Sequence, residues 1–283
     1  MAECSSISIE KVNHQDEHVR RRLIEWLAPH EPHALFLLGN FAAGYPGSHI
    51  YAASRDGALV GIGGYYERPK SLCPFALDAE SAAAMLRFIA ARHPRIDFVN
   101  AIGPVGYPCA RAMRELGYEP ENDPRQVFME ASLPIGGLPR MAHEEKVRPM
   151  EPRDAERAAW LMRCLQRPGD TSPIAPQEID RVLANKHRVV LEADGQVVAT
   201  ATTNGIGIRA FQVLGVVTDP DHRGRGYARA ACAALTRRMQ AQGAQHAVLF
   251  TGPDNLPAQQ CYLRLGFAVT GEYCMAKFKP RER

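Results

Sequence analysis

Val213–Ala228, VLGVVTDPDHRGRGYA, is the stretch from which the rest of the chain can be read. Val213-Leu214-Gly215-Val216-Val217 is a short apolar run rich in β-branched residues, bounded by the turn signal Asp219-Pro220-Asp221. That pattern predicts a buried strand. Arg223-Gly224-Arg225-Gly226-Tyr227-Ala228 follows, and then Ala230, Ala234, Leu235 and Met239 recur at helical spacing until Gly243 stops the run. The order is strand, glycine-rich turn, helix.

A turn of this kind has specific physics. Glycines let the backbone approach a ligand closely and take positive φ. The first amides of the following helix have no partner within it and point outward. With the helix dipole they form an anion site suited to a pyrophosphate, and Arg223 and Arg225 add positive charge. The competing reading is a surface turn with two arginines in solvent, which the flanking strand and long helix disfavour. No G-x-x-x-x-G-K-[ST] run supports a P-loop. The dinucleotide fingerprint G-x-G-x-x-G is incomplete, because Arg229 stands where the third glycine belongs.

Arg223-x-x-Gly226-x-Ala228 resembles the [Q/R]-x-x-G-x-[G/A] signature of the GNAT N-acetyltransferase superfamily. The resemblance continues through Asn255-Leu-Pro-Ala258-Gln-Gln-Cys-Tyr262-Leu-Arg-Leu-Gly266-Phe267, which looks like the family's N-x-x-A-x-x-x-Y-x-x-x-G-F segment. It covers roughly the second half of the chain. It implies an α+β fold with a mixed, mostly antiparallel central sheet flanked by helices, and an acyl-CoA-dependent N-acyltransferase.

The whole chain sets bounds on this reading. Its 283 residues suit about two domains at ~100–200 residues each. A formal net charge of +3 is too small to argue for nucleic acid or an acidic membrane surface. No apolar run approaches the ~20 residues of a membrane span, and the N-terminal segment has no apolar signal-peptide core. Seven scattered cysteines without a CxxC suit free thiols in a reducing cytosol and give no metal-site spacing. The expectation is a cytoplasmic enzyme with no metal, no nucleic acid and no membrane partner; a homodimer remains open.

In chain order, Ser6–Val12 reads as a strand and Asp16–Leu27 as an amphipathic helix, with Arg20-Arg21-Arg22 as a solvated face. His30-Glu31-Pro32-His33 reads as loop, because Pro32 breaks a helix and no further metal ligand is evident. Ser48–Ala53 and Ala58–Tyr66 form a hairpin around Asp56-Gly57. Arg68-Pro69-Lys70 begins a loop, and Asp78 caps a helix over Ala79–Arg92. Ile96–Ile102 is a strand, Arg111–Leu116 a short helix closed by Gly117, and Gln126–Ala131 a strand. Ser132–Lys146, rich in Gly and Pro, reads as a linker. Beyond it come a helix Asp154–Gln166, a Pro-rich loop Arg167–Pro176 and a helix Gln177–Ala184. A second hairpin surrounds Asp194-Gly195, and the opening stretch follows. The chain then gives a strand His246–Thr251, a helix Leu256–Leu265 and final strands through Phe278.

The element order is the same in both halves, which suggests an internal duplication. Gly103–Tyr118 aligns with Gly252–Phe267 without gaps, sharing two glycines, two prolines and a leucine. The match fails where the family's chemistry resides: Gly106 stands opposite Asn255, and Met113 opposite Tyr262. No Arg-x-x-Gly-x-Gly precedes the helix at Ala79. The expected organisation is therefore tandem GNAT-like domains: a degenerate domain at 1–131, a linker at 132–146 and an intact domain at 147–283. The first half is expected to be non-catalytic, supplying substrate surface, an interface or only packing.

The resemblance implies acetyl-CoA, or another acyl-CoA, as co-substrate. The backbone at Val216, Val217 and Thr218 would pair with the pantetheine amides. Arg223, Gly224, Arg225, Gly226, Tyr227 and Ala228 would hold the pyrophosphate. A small-molecule amine, protein N-terminus or lysine would attack the thioester directly, the two substrates being aligned in one complex. Tyr262 stands at the family's position for the acid that protonates the leaving thiolate, and Asn255 would orient the coenzyme or a water. The competing readings are a core tyrosine and an Asn helix cap. Val213–Thr218 carries no carboxylate to serve as base; Glu192, His246, Asp254 or water are the candidates. Cys261 has no histidine partner, which argues against an acyl-cysteine. A non-catalytic acyl-CoA-binding module is the alternative function. Arg167–Pro176 and the first hairpin are the candidates for acceptor contacts.

Overall fold

The computed structural model describes residues 6–134 and 141–280; residues 135–140 of the expected linker lie outside them. The chain forms two compact units. The first comprises residues 1–129, 250–254 and 269–283, and the second residues 130–249 and 255–268. The sequence suggests a break at 132–146. By packing, the chain crosses at Met129–Glu130 and returns twice to the first unit.

The first unit starts with β1 (Ile7–Val12), α1 (Glu17–Leu27) and α2 (Glu31–Ala42). Then come β2 (Ser48–Arg55), β3 (Ala58–Tyr66), β4 (Ser71–Ala76), α3 (Ala79–Ala90), β5 (Phe98–Ile102), α4 (Gly103–Glu115) and β6 (Arg125–Ser132). The hairpin β2–β3 closes on Asp56 and Gly57, both at positive φ (51° and 78°), the geometry of a type I′ turn. Packing on both faces explains the near-continuous apolar strands. Met85, Leu86 and Ile89 of α3 with Cys109 and Met113 of α4 line one core. Leu23, Leu27, Leu37, Leu38 and Phe41 of α1 and α2 line the other.

The second unit contains β7 (Val147–Pro149), α5 (Ala155–Gln166), α6 (Pro176–Leu183), β8 (Val189–Ala193) and β9 (Gln196–Ile206). It continues with β10 (Ala210–Thr218), α7 (Tyr227–Ala241), β11 (His246–Thr251) and α8 (Leu256–Leu263). Its sheet order is β11-β10-β9-β8-β7, antiparallel except for the pair β10–β11. Asp194 and Gly195 repeat the positive-φ hairpin turn at 53° and 75°. The chain ends in β12 (Ala268–Lys277), which pairs antiparallel with β5 from Tyr273↔Ile102 to Lys277↔Phe98. The first unit's sheet thereby runs β1-β2-β3-β4-β5-β12-β6.

Four local expectations are corrected. His30–His33 is not loop: Pro32 lies in the first turn of α2, where its missing N–H has no partner to lose. His30 packs on Phe75 with ring centroids 4.8 Å apart, and His33 lies 5.8 Å from Phe128. Ser71–Ala76 is a strand, although Pro74 lies within it. The helix expected at Arg111–Leu116 starts at Gly103. One strand, not several, closes the chain.

Candidate active site

The strand β10 is disrupted on both of its edges. Its antiparallel register with β9 slips between Leu214 and Val217, where Gly215 sits at φ +58°. A Cβ there would lie 3.0 Å from Met162 Sδ and 3.1 Å from Thr202 Cγ2, so both conformation and space require glycine. An isolated glycine inside a strand pattern is the sequence signal for this bulge. On the other edge, β10 pairs with β11 only from Ala210↔His246 to Gln212↔Val248. From Val213 onward, β10 has no strand partner on that side among the described residues. Val216, Val217 and Thr218 lie on this free stretch, which offers backbone donors and acceptors in fixed alternation.

At the end of β10 the turn is locked from below. Asp219 accepts from Asp221 N at 2.9 Å and from the guanidinium of Arg157 on α5. Its own N–H donates to Val198 O at 2.8 Å. Arg157 stacks over Trp160, 4.0 Å from the ring centroid. Arg157 and Asp219 are 62 residues apart, so no local pattern in the sequence points to this clamp.

The turn itself is glycine-built. Gly224 and Gly226 have φ of +77° and +83°, and Gly226 is the N-cap of α7. A Cβ on Gly224 would meet nothing within 4 Å, and one on Gly226 only Arg229 Nη2 at 3.8 Å. The glycines serve the backbone conformation and leave the space before the helix open. The first intrahelical bond runs from Ala230 N to Gly226 O at 3.0 Å. The amides of Tyr227, Ala228 and Arg229 precede it, and no side chain caps them. Arg223 and Arg225 are exposed around this terminus, and Arg229 stands in its first turn with Nε unpartnered. Tyr227 is buried against His143 rather than directed at solvent, so it contributes its backbone only.

Asn255 caps α8: its side chain accepts from Ala258 N at 3.3 Å. Tyr262, on α8, packs beside Phe267 with ring centroids 5.9 Å apart. Burial, and then the thiols of Cys232 and Cys261, push its phenol well above the usual tyrosine range, and no acceptor for its hydroxyl occurs among the described residues. Cys261 is likewise pushed up by burial, which disfavours a thiolate nucleophile.

The base candidates are spread apart. Glu192 is held by Arg148 at 2.8 Å. His246 opens β11 and pairs with Ala210, at the end of β10 remote from the turn. Asp254 packs with the first unit. The loop 167–175 is pinned by Arg163, whose guanidinium holds Glu178, Ser172 and the carbonyl of Pro173. No group of three or more metal-type ligands occurs among the described residues, and none of their helices is long and apolar enough to cross a membrane.

The second unit thus combines a mixed sheet with one short parallel pair, a bulged strand and a helix N-terminus without a side-chain cap. Residues 155–267 match the sequence model of the acetyltransferase (GNAT) family. A mycothiol acetyltransferase of Corynebacterium aurimucosum is 40% identical over 55 residues, 19% of this chain and 18% of that protein. Solved structures share the fold over the whole chain. A tandem GNAT protein from the clavulanic acid biosynthesis pathway is similar at TM-score 0.55 and 12% identity, covering 98% of this chain and 99% of that one. A GCN5-related N-acetyltransferase from Sphaerobacter thermophilus gives TM-score 0.55 and 15% identity over 97% and 95%. A Drosophila protein of about the same length gives TM-score 0.66 and 12% identity over 97% and 99%. At these identities the likeness speaks to the fold alone.

Proposed function

We propose that the protein transfers an acetyl group from acetyl-CoA to a primary amine by direct attack, and that the second unit alone carries the reaction. The observation that carries this reading is the continuity of two features: the unpaired edge of β10 leads directly into the uncapped, arginine-flanked start of α7. A pantetheine arm needs the first feature and a pyrophosphate the second.

In this reading Val216, Val217 and Thr218 bind the arm through their backbone. Gly224, Gly226 and the amides of Tyr227 and Ala228 cradle the pyrophosphate, with Arg223 and Arg225 at its rim. The phenol of Tyr262 protonates the departing thiolate, and its raised pKa keeps the proton in place until sulfur takes it. Asn255 sets the start of α8 and hence the position of Tyr262. The amine loses its proton to solvent, since Val213–Thr218 carries no carboxylate. The degenerate first unit binds no coenzyme.

Release of thiol from acetyl-CoA, measured with a panel of primary amines, tests the reading. Amine-dependent release that falls at least ~100-fold in Tyr262→Phe supports it. Binding of acetyl-CoA without any amine-dependent release would favour the non-catalytic module instead.

A further inference from the structure

Arg188, the residue before β8, is only 5% exposed. Its Nη1 donates to Thr200 Oγ1 at 3.2 Å, and its Nε reaches no acceptor. Burial pulls its pKa down to about 10, with no charged neighbour acting on it. A guanidinium has five N–H donors, and a buried charge without a partner is costly. Arg163 shows how this fold otherwise treats a buried arginine. At 3% exposure it is held by a carboxylate, a hydroxyl and a carbonyl.

Unmet groups gather around Arg188. The register Val189↔Ala201 places it alongside Thr202, and Thr202 pairs with Leu214 of β10. Thr200 pairs with Val217, on the free stretch of β10. Thr202 is 1% exposed, and its hydroxyl has no partner. Gln212, two residues before Leu214 and so on the same face of β10, is 1% exposed with Oε1 unpartnered. The contacts a Cβ at Gly215 would make put Thr202 on the face covered by Met162 of α5, a flexible side chain.

The donors and the acceptor are spatially ordered. Arg188 reaches over β9, and Gln212 stands on β10 two residues before Leu214, the partner of Thr202, hence one strand spacing of about 4.8 Å across and about 6.6 Å along from Thr202. A single guanidinium flanked by neutral hydroxyls balances one negative charge, and its planar fork matches a carboxylate. A phosphate dianion would leave a buried excess charge. The amide oxygen of Gln212 suits an N–H donor. We infer that the acceptor is a primary amine bearing a carboxylate, an amino acid or a compound of that class. Arg188 and the hydroxyl of Thr202 take the acid, Thr200 holds the guanidinium while giving its own proton to Val189 O at 2.9 Å, and Gln212 Oε1 orients the amine. This rests on the proposed acetyl transfer and specifies its acceptor.

The test pairs kinetics with melting temperature. α-Amino acids, β-alanine and 4-aminobutyrate are each compared with their carboxamides as acceptors, for wild type, Arg188→Met and Arg188→Lys. The best acid is expected to exceed its carboxamide at least ~100-fold in kcat/KM, because a site built for a polar group rejects the analogue lacking it. Arg188→Met erases that ratio and leaves acetyl-CoA binding unchanged. Arg188→Lys, which keeps the charge but not the fork, restores part of it. Arg188→Met is also expected to melt higher than wild type, since it removes an unpartnered buried charge. The preferred acid raises the melting temperature of wild type but not of Arg188→Met, an arm that needs no coenzyme. Equal use of acids and carboxamides, or an Arg188→Met protein that keeps the preference or unfolds, would overturn the inference. Failure of acetyl-CoA to bind the wild type would instead overturn the proposed transfer.

Discussion

The two units treat equivalent positions in opposite ways. In the first, α3 begins under its own carboxylates. Asp78 accepts from Ser81 N at 2.8 Å, and Arg55 bonds both Asp78, at 3.2 Å, and Glu80, at 2.9 Å. The anion position of that helix is filled from within. In the second, α7 begins at Gly226 with no side-chain cap and with arginines around it. The strands repeat the contrast. β4 pairs with β5 only at Ser71↔Phe98 and Leu72↔Val99, so it too has a free stretch, but Pro74 removes a donor from it. Gly106, opposite Asn255, is fixed by packing, since a Cβ there would lie 2.3 Å from Cys274 Cβ. Met113, opposite Tyr262, is fully buried. At these positions the second unit leaves polar groups unmet, whereas the first meets them itself.

That contrast can be broken experimentally, with the largest effect expected at the chemistry. Tyr262→Phe should lower kcat by ~100-fold or more while the Kd for acetyl-CoA stays within about twofold; a change confined to Kd would make Tyr262 a packing residue. Gly226→Asp places a carboxylate in the cradle at a φ of +83°. It should weaken acetyl-CoA at least ~100-fold by calorimetry and cost only about 1–2 kcal/mol of stability. Arg157→Ala frees Asp219 and the turn, and a rise of roughly tenfold in KM for acetyl-CoA is expected with kcat nearly constant.

Smaller effects belong to the first unit. Asp78→Ala removes the α3 cap and should cost about 1 kcal/mol in denaturant unfolding, with no change in coenzyme affinity. A gain of a second coenzyme there would show that the internal carboxylate alone had closed the site. His93, half-buried between Tyr51 and Tyr65, has its pKa pulled down to about 4 by desolvation, with His49 and Lys11 adding to the effect. The folded state therefore resists a proton that the unfolded chain takes near pH 6.5. The stability His93 contributes is complete above that pH and is lost as pH falls toward 4, on the order of 1–2 kcal/mol after solvent screening. In His93→Gln that slope should vanish from the pH dependence of the melting temperature.

Much of this contrast was legible in the residues. Gly224 and Gly226 between an apolar strand and an Ala-rich helix are a local pattern, as are Asp56-Gly57 and Asp194-Gly195. The elements that were missed depend on context. Pro32 reads as a breaker until its place in a helix first turn is known, and Pro74 reads against a strand that pairing with β3 supports. The return of β12 to β5 joins residues more than 170 apart, and no local periodicity records it. Arg188 looks like any charged residue at a strand start; only burial without a carboxylate sets it apart. The clamp of Arg157 on Asp219 is likewise a tertiary fact.

In the proposed function one unit holds the coenzyme and the other does not. Calorimetric titration of acetyl-CoA into the wild type and Gly226→Asp tests it most directly. About one equivalent is expected to bind the wild type and none the variant. Two equivalents, or one that survives Gly226→Asp, would place coenzyme in the first unit and contradict it.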